Sequence, residues 1–221
     1  MDIQTVSNDT AKERLLVVAE KLFAEKGFDG VSIREITQCA DCNLASVNYY
    51  FGNKKNLYFD VFRSRLVPQL SQVRCRFEDI LAGQEDMNFE SVIRAVVTSF
   101  MEKHPLNQDN NEAFHGLMHR EIHYPTGAVD IIFNEVIEPF FQVLLDLFRS
   151  HLTDEEDELE MKLKIFSLIA MTLHFSHART IIRLITGREY DEHFINRIID
   201  HIVSFTLYGL AGENGSRERH S

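Results

Sequence analysis

The 221-residue chain has no tryptophan and only three cysteines, four prolines and ten glycines. Three cysteines are too few for a disulfide framework, which favours a reducing compartment. No stretch alternates apolar and polar residues between turn signals, as strands do. The N-terminus has no signal-peptide pattern, and no apolar run is long enough to span a membrane. These absences predict an all-α, cytoplasmic chain.

The sequence also lacks the short motifs of common catalytic sites. It contains no HExxH, no GxSxG and no phosphate-loop pattern. A helical di-iron enzyme needs a Glu-x-x-His motif on two helices, and only Glu112-x-x-His115 is present. We therefore expect no enzyme and no cofactor, with a helical metalloenzyme as the remote alternative.

The stretch SIREITQCADCNLASVNYYFGNKKNL, residues 32–57, predicts two short helices, a tight turn and the start of a third helix. Ser32, three residues before Glu35, forms a capping box. Asp41 lies where the chain must turn, and Asn43 is a good N-cap for the next helix. Two short helices joined by such a turn are typical of a DNA-binding helix-turn-helix.

The second of these helices, Leu44–Phe51, carries the groups expected to read DNA. Its apolar side holds Leu44, Val47 and Phe51. Small, hydroxyl, amide and phenol groups are left facing outward, and such groups suit a groove lined by base edges. After Gly52, a third helix begins with two lysines. Cations oppose the helix dipole there, which indicates a phosphate partner.

This stretch resembles the helix-turn-helix of the TetR family of bacterial transcriptional regulators, which reads roughly A-G-V-S-x-G-T-L-Y-x-x-F-x-x-K-x-x-L. The matching positions are Ala40, Cys42 for valine, Asn43 for the capping serine, Val47 for leucine, Phe51, Lys54 and Leu57. Asp41 replaces the turn glycine, and aspartate tolerates a left-handed conformation better than most residues. Asn48 replaces the commoner tyrosine, which bears on the base preference.

The resemblance implies roles for nine residues in DNA binding. The base-side candidates are Arg34, Leu44, Ala45, Ser46, Asn48 and Tyr49, and the phosphate candidates are Ser32, Tyr50 and Lys54.

The net charge of −11 is concentrated outside this stretch. The first 60 residues hold seven Lys or Arg and nine Asp or Glu, whereas the remainder holds sixteen and twenty-five. Between Cys42 and Phe59 there are two lysines and no carboxylate. Such a small basic surface is enough for a dimer that also reads bases, but binding should be salt-sensitive.

Periodicity and capping residues predict seven further helices or helix pairs around this stretch. We expect disorder over 1–8, a first helix from Asp9 or Thr10 to Lys26, and a disordered tail over 209–221. The later helices are predicted at 53–82, broken near Pro68, then at 88–103, 112–124, 127–151 with a bend at Pro139, 153–186 and 191–207. We expect Thr126, Thr153 and Asp191 to cap the last three.

The predicted architecture is therefore an N-terminal three-helix DNA-binding domain, residues 1–56, and a larger helical ligand-binding and dimerisation domain, residues 57–208. The stretches MHREIHYPTGAVD, EVIEPFFQVLL and FSHARTIIRLITGREYDE also resemble the C-terminal domain of one TetR branch. That branch includes regulators that respond to small apolar compounds. The resemblance implies dimerisation through helices 156–186 and 191–207.

Aromatic, methionine and histidine side chains concentrate in the second domain, which is the usual make-up of a small-molecule site. The alternative is that each of these residues belongs to the core. The ligand-binding candidates are Phe100, Met118, His119, Phe133, Phe140, Phe141, Met171, His174 and Phe175.

Two features allow other responses on the same fold. His115, His119 and His123 follow one another at four-residue spacing and could chelate a transition metal, although no cysteine joins them. Cys39 and Cys42 form a C-x-x-C, for which small buried or half-buried hydrophobes are the plainer interpretation.

Taken as a whole, the sequence predicts a homodimeric repressor that binds near-palindromic operator DNA and is released by a small apolar molecule. A metal- or redox-responsive regulator is the alternative.

Overall fold

The computed structural model describes residues 3–101, 112–152 and 157–216. Over these residues the chain is helical and contains no strand, which confirms the predicted fold class. Two five-residue π-turns, Phe62–Leu66 and Phe133–Ile137, join helices end to end. The α-helices are α1 (Ile3–Lys26), α2 (Ile33–Cys39), α3 (Leu44–Phe51), α4 (Lys54–Val61), α5 (Val67–Ala82), α6 (Phe89–Met101), α7 (Glu112–His123), α8 (Ala128–Ile132), α9 (Glu138–His151), α10 (Glu158–His177), α11 (Arg179–Thr186) and α12 (Glu192–Ser216).

The chain forms two compact units. The first comprises Met1–Ser71 with Asp109–Glu138, and the second comprises Gln72–Gln108 with Pro139–Ser221. The first unit is thus larger than the predicted DNA-binding domain of residues 1–56, because it also includes residues 57–71, α7, α8 and the second π-turn. The assignment of ligand binding to residues 57–208 stays a prediction.

Local capping signals account for most helix starts. Five cap side chains accept a backbone N–H two or three residues later, which satisfies one of the free donors at a helix start. These caps are Ser32 for Glu35 at 3.1 Å, Asn43 for Ala45 at 3.0 Å, Asn53 for Asn56 at 2.8 Å, Asn88 for Ser91 at 2.9 Å and Asp191 for Phe194 at 2.8 Å. The predicted caps Ser32, Asn43 and Asp191 are thereby confirmed.

Thr126 does not cap α8 as predicted. Its hydroxyl donates instead to the Glu121 carboxylate at 2.6 Å, and α8 begins after Gly127 without a side-chain cap. The reason is that Glu121 is buried and takes both the hydroxyl and the backbone N–H of Thr126. A buried acceptor outweighs a local cap because leaving it without a donor would be costly.

Both internal prolines follow a π-turn. Proline has no N–H, and its ring clashes with the carbonyl four residues earlier in an α-helix. Widening the preceding turn relieves this clash, and the residue before each proline then donates to the carbonyl five residues back. The predicted breaks at Pro68 and Pro139 are therefore present as π-turns. These bonds run from Val67 to Phe62 and from Glu138 to Phe133.

The prediction of one helix over 153–186 is wrong. α10 ends at His177, and α11 leaves it at an angle of 77°. The Tyr190 hydroxyl donates to the Phe175 carbonyl at 2.6 Å, and Arg179 Nε donates to the Ser176 carbonyl at 3.0 Å. These side chains occupy carbonyls that a continuing helix would bond to its own N–H groups.

The helices at both ends are longer than the sequence predicts. α1 begins at Ile3, inside the stretch 1–8 expected to be disordered. α12 extends to Ser216, past the predicted start of the tail at residue 209. The predicted helix end at Lys103, the loop 107–111, the Thr153 cap and residues 217–221 lie outside the described residues.

Candidate nucleic-acid interface

Helix α3 is fixed to the first unit by one face and exposes the other. Val47 is fully buried and Phe51 nearly so, and both pack into the core built by α1, α2 and α4. Asn48 and Ala45 are exposed, and the Tyr49 ring is 73% exposed. A short helix held by two apolar anchors with a free polar face can enter a major groove.

The spacing of Leu44 from Val47 predicts that Leu44 belongs to the buried face, and the structure contradicts this prediction. Its side chain is 53% exposed. Leu44 is the first residue after the cap Asn43, where the helix has only begun and the core lies one turn further on. The exposed position agrees with the base-side role that the family resemblance implies for Leu44.

The remaining DNA-binding candidates also lie in the helix-turn-helix of the first unit. Ser32 and Arg34 are exposed at the start of α2. Ser46 and Tyr50 are half-buried, and the Tyr50 ring meets the Tyr49 ring edge-on at 4.9 Å. The contact of these residues with DNA stays a prediction.

Lys54 is half-buried at the start of α4. Its Nζ lies 4.4 Å from the centre of the Phe28 ring. A cation over an aromatic face is stabilised by the ring quadrupole, so Lys54 is held at the helix terminus rather than extended into solvent. Lys12 and Lys55 make similar contacts at longer range, over Phe51 at 5.9 Å and Phe59 at 5.3 Å.

Arg14 holds the turn between α2 and α3, a role that sequence reasoning missed. Its Nε donates to the Ala40 carbonyl at 3.0 Å and its Nη2 to the Asp41 carbonyl at 3.3 Å. Nη2 also lies 3.5 Å from Cys42 Sγ. Asp41 has φ 50°, so the predicted left-handed turn residue is confirmed. The guanidinium thus satisfies carbonyls left free at the end of α2.

An ion pair joins α1 to α2. Lys26 Nζ donates to the Glu35 carboxylate at 2.5 Å. This hydrogen bond lowers the pKa of the Glu35 carboxyl and raises that of the Lys26 ammonium. Both groups are solvent-exposed, and such pairs contribute little to stability.

Helix α7 is anchored to the helix-turn-helix by Arg120. Its Nε donates to the Ala24 carbonyl at 2.9 Å and its Nη2 to the Glu25 carbonyl at 2.6 Å, at the C-terminal end of α1. A positive charge is favoured at that end of a helix. A Cβ atom at Gly116 would lie 3.2 Å from the Ala24 carbonyl, so glycine allows the two helices to approach closely.

Glu121 forms a second, buried link from α7. Its carboxylate is only 2% exposed and lies beside Tyr58 of α4. Burial raises the pKa of the Tyr58 phenol, and the Glu121 charge raises it further. Arg120 and Glu121 belong to the MHREIHYPTG stretch, whose resemblance to a TetR C-terminal domain was the signal available in the sequence.

The predicted ligand-binding residues are divided between the units. Met118, His119 and Phe133 lie in the first unit, where His119 and Phe133 are exposed. The other six lie in the second unit. There, Phe140 is buried, its ring centre 6.5 Å from Phe100 and 5.3 Å from Phe77. The structure thus brings together Phe100 and Phe140 in one aromatic cluster.

The histidine face of α7 forms no metal cluster. His119 and His123 stack at 4.2 Å, and His123 Nδ1 lies 2.8 Å from the His119 carbonyl oxygen. Within the part of the chain that the structure describes, no three His, Cys, Asp or Glu side chains are placed to hold a metal ion.

No single helix among the described residues is both long and apolar enough to cross a membrane. The bent pair α10 and α11 meets the length and composition criteria only when the two are taken together.

The fold and the exposed face of α3 define a helix-turn-helix DNA-binding protein. Residues 15–61 match the model of the bacterial regulatory proteins of the tetR family, and residues 89–210 match the C-terminal domain of the HTH-type transcriptional dual regulator CecR. The chain belongs to the TetR family, with a C-terminal domain of the CecR type. It is a DNA-binding transcriptional regulator.

Individual relatives agree with this assignment. The chain is 26% identical over 218 residues to the dual regulator CecR of Shigella flexneri, covering 94% of this chain and 96% of the relative. It is 29% identical over 97 residues to the transcriptional repressor NicS of Pseudomonas putida, covering 44% of each. A transcriptional regulator from Rhodococcus sp. Rha1 shares the fold with a TM-score of 0.56 at 16% identity, over 90% of this chain and 96% of that one.

Proposed function

We propose that the protein is a homodimeric repressor that binds a near-palindromic operator and leaves it when a small apolar molecule binds. The observation that carries the DNA-binding part is the α3 face of Leu44, Ala45, Asn48 and Tyr49, which is exposed while Val47 and Phe51 are buried. The relative NicS is named a transcriptional repressor, which supports repression over activation. The protein would act in the cytoplasm, where bacterial DNA lies.

The homodimer would form through α10 and α12. Leu159, Leu163 and Phe166 follow one another at four- and three-residue spacing on α10 and are 49% to 64% exposed. Phe205 and Tyr208 of α12 are exposed as well. Water-exposed apolar side chains in a row on long helices mark a protein interface. Packing of these faces would place two copies of α3 in successive major grooves.

The inducer would be small and largely apolar. Support comes from the aromatic cluster of the second unit, where Phe77, Phe100 and Phe140 meet, and from the half-buried side chains of Phe141, Met171 and Phe175. Apolar and aromatic walls with few polar groups are typical of such sites. His174, exposed on α10 of the same unit, would supply a polar anchor. We propose no catalytic step.

Selection of binding sites from random duplex DNA tests the proposal. We expect the full-length protein to enrich two inverted half-sites whose centres lie about 10 base pairs apart. Genomic fragments that match the enriched site then serve in a reporter assay, in which deletion of the protein should raise transcription. Enrichment of no sequence, or of a single half-site, would contradict the proposed mode of binding.

A further inference from the structure

The turn between α1 and α2 places an aromatic ring against a lysine of α4. Phe28 is half-buried, and the centre of its ring lies 4.4 Å from Lys54 Nζ. A ring quadrupole attracts a cation but carries no net charge, so the contact orients the ammonium without neutralising it. An ammonium has three N–H donors, and those that point away from the ring can reach an anion.

Phe28 is itself held by a buried aromatic cluster. Its ring stacks on Phe23 with 6.1 Å between ring centres and meets Tyr58 edge-on at 5.2 Å. Phe23 is fully buried, and Tyr58 is only 2% exposed. Tyr58 in turn meets Phe23 edge-on at 4.9 Å and lies 5.0 Å from Phe62. Because these neighbours are close-packed, the Phe28 ring rests on a rigid support.

A hydrogen-bonded chain joins this cluster to the turn between α7 and α8. The Thr126 hydroxyl donates to the buried Glu121 carboxylate at 2.6 Å and is also hydrogen-bonded to the Tyr58 phenol. Burial raises the pKa of this phenol, so it stays protonated and donates to the Thr126 oxygen. In such a buried network, removal of one group leaves its neighbour without a partner.

Arg120 fixes the start of the α1–α2 turn. Its guanidinium donates to the carbonyls of Ala24 and Glu25, which lie four and three residues before Phe28. Gly27 has φ 76°, and a Cβ atom there would lie 3.1 Å from Arg120 Nη1. Glycine therefore allows the guanidinium to close over the end of α1. Two consecutive residues of α7 thus act on the turn that carries Phe28, one directly and the other through Tyr58.

We propose that Phe28 is a positioning residue that presents the Lys54 ammonium to a DNA phosphate, and that α7 and the α7–α8 turn keep Phe28 in place. The inference rests on the phosphate contact of Lys54, which belongs to the proposed function. A lysine that is already ordered loses less conformational freedom when it binds DNA. The phosphate contact therefore depends on residues 120–126, outside the helix-turn-helix, whereas base readout by α3 does not.

The affinity of the full-length protein for a short duplex of random sequence tests the role of Phe28, because phosphate contacts need no operator. Phe28→Leu removes the ring face but keeps an apolar side chain. We expect it to weaken binding about two- to tenfold per copy, which corresponds to the cost of ordering one long side chain. In a Lys54→Ala background the same change should have no effect, because no ammonium is left to position. Phe28→Tyr restores an aromatic face and should recover the affinity.

Phe59→Leu is the matched control for this cycle. Phe59 is half-buried like Phe28, and Lys55 Nζ lies 5.3 Å from the centre of its ring. Its effect on affinity should be the same with Lys54 as with Lys54→Ala. An equal loss from Phe28→Leu in both backgrounds would mean that Phe28 supports only the fold, and this result, like an unchanged affinity, overturns the proposal. Thermal unfolding followed by circular dichroism checks that each variant is folded.

Tyr58→Phe tests the link to the α7–α8 turn. The change removes the phenol that bonds Thr126 and leaves the ring that contacts Phe28. Binding to random duplex DNA should weaken in the wild-type background and not in the Lys54→Ala background. Tyr190→Phe, which removes a buried phenol bond of the second unit, should leave this affinity unchanged. Wild-type affinity in Tyr58→Phe would overturn the role of the α7–α8 turn.

Failure of this inference is distinguishable from failure of the proposed function. An unchanged salt slope in Lys54→Ala removes the phosphate contact and overturns the inference, while selection of inverted half-sites would still support the dimeric repressor. Coupling between Phe28 and Lys54 on random DNA upholds the inference even if no operator is selected.

Discussion

At the scale of single residues, Asp41 and Arg14 together set the entry into the recognition helix. Asp41 adopts φ 50°, a conformation in which a side chain costs energy, and the TetR motif usually has glycine there. Two backbone bonds enclose the turn, from Cys42 N–H to the Thr37 carbonyl at 2.9 Å and from Asp41 N–H to the Gln38 carbonyl at 3.4 Å. Arg14 adds side-chain donors to it, which explains how aspartate is tolerated.

Asn48→Ala tests direct readout of a base. The amide is exposed on α3 and can pair with an adenine edge in the major groove, so its loss should cost about 1–3 kcal/mol on the selected operator. Preference at one base step should relax, as measured by titration of operators changed at single positions. The unfolding midpoint should not move. A lower midpoint with base preference intact would show that Asn48 supports the fold instead.

Lys54→Ala tests contact with the DNA backbone. The change should weaken binding to all sequences alike and lower the slope of log K against log salt by about one. Because the Lys54 ammonium also lies over Phe28, we expect a loss of about 0.5–1 kcal/mol in the free energy of unfolding. Lys54→Arg keeps both interactions and serves as the control. An unchanged salt slope would remove Lys54 from the interface.

Burial gives Glu20 a response to pH that opposes the usual one for a carboxylate. Burial raises its pKa above 4.5, although the Arg65 guanidinium, 3.6 Å away, acts in the other direction. Its contribution to stability is therefore full below pH 4.5 and is lost as the pH rises through the folded pKa. Glu20→Gln should be more stable than the wild type at pH 7, and the difference should vanish near pH 4 in urea unfolding. Glu13→Gln, which changes the more exposed partner of Arg65, should show no such gain.

At the scale of elements, breaks in helices have two different origins. The π-turns at Phe62–Leu66 and Phe133–Ile137 have a local cause, because a proline lies six residues after the first residue of each turn. These two π-turns are joined by an ion pair, Arg63 Nε to the Glu135 carboxylate at 3.0 Å. The bend between α10 and α11 has no proline, and the Phe175 carbonyl there accepts a hydrogen bond from Tyr190, which lies beyond α11.

Tyr190→Phe tests the origin of this bend. The change removes the hydroxyl that donates to the Phe175 carbonyl but leaves an aromatic ring beneath Arg179. Loss of one hydrogen bond should lower the free energy of unfolding by about 0.5–1.5 kcal/mol. Amide hydrogen exchange should rise in α11 and the last turn of α10, with α6 as the internal reference. Equal protection in α11 would mean that packing alone maintains the bend.

At the scale of the whole molecule, the charge distribution and the units explain how an acidic protein can bind DNA. The first 60 residues are close to neutral overall, and the segment 42–59 is purely basic. The acidic surplus lies in the remainder of the chain. Affinity must therefore come from a few phosphate contacts per copy combined with base readout. Two copies on one operator double the number of phosphate contacts and of base contacts.

The spacing of half-sites tests the proposed dimer on DNA. Inserting five base pairs between the half-sites turns one of them to the opposite face of the duplex, where a rigid dimer cannot reach it. Affinity should fall by at least a hundredfold, to the level of a single half-site, in a gel-shift titration. Substituting five base pairs at the same place, without changing the spacing, is the control. Equal affinity for the lengthened operator would contradict a rigid dimer.

Much of the fold could be predicted from local patterns, because the interactions concerned span only a few residues. Ser32, Asn43, Asn53, Asn88 and Asp191 cap helices by bonding an N–H two or three positions on, and a sequence displays that relation directly. The same holds for the left-handed Asp41 and for the breaks before both prolines. Once Asn43 is known to cap α3, the helical periodicity predicts which polar side chains of this helix are exposed.

The sequence by itself determined the helix-turn-helix, its caps and its outward-facing side chains, because each depends on neighbours within one or two turns. Only the tertiary structure decided which long-range partners compete with those local rules. The buried Glu121 carboxylate accepts the Thr126 hydroxyl, which therefore caps no helix. The Tyr190 hydroxyl bonds the Phe175 carbonyl where periodicity predicts a continuous helix. Arg120 joined α7 to the end of α1 across 96 positions. Such contacts depend on which surfaces meet after the chain has folded, and no local spacing records them.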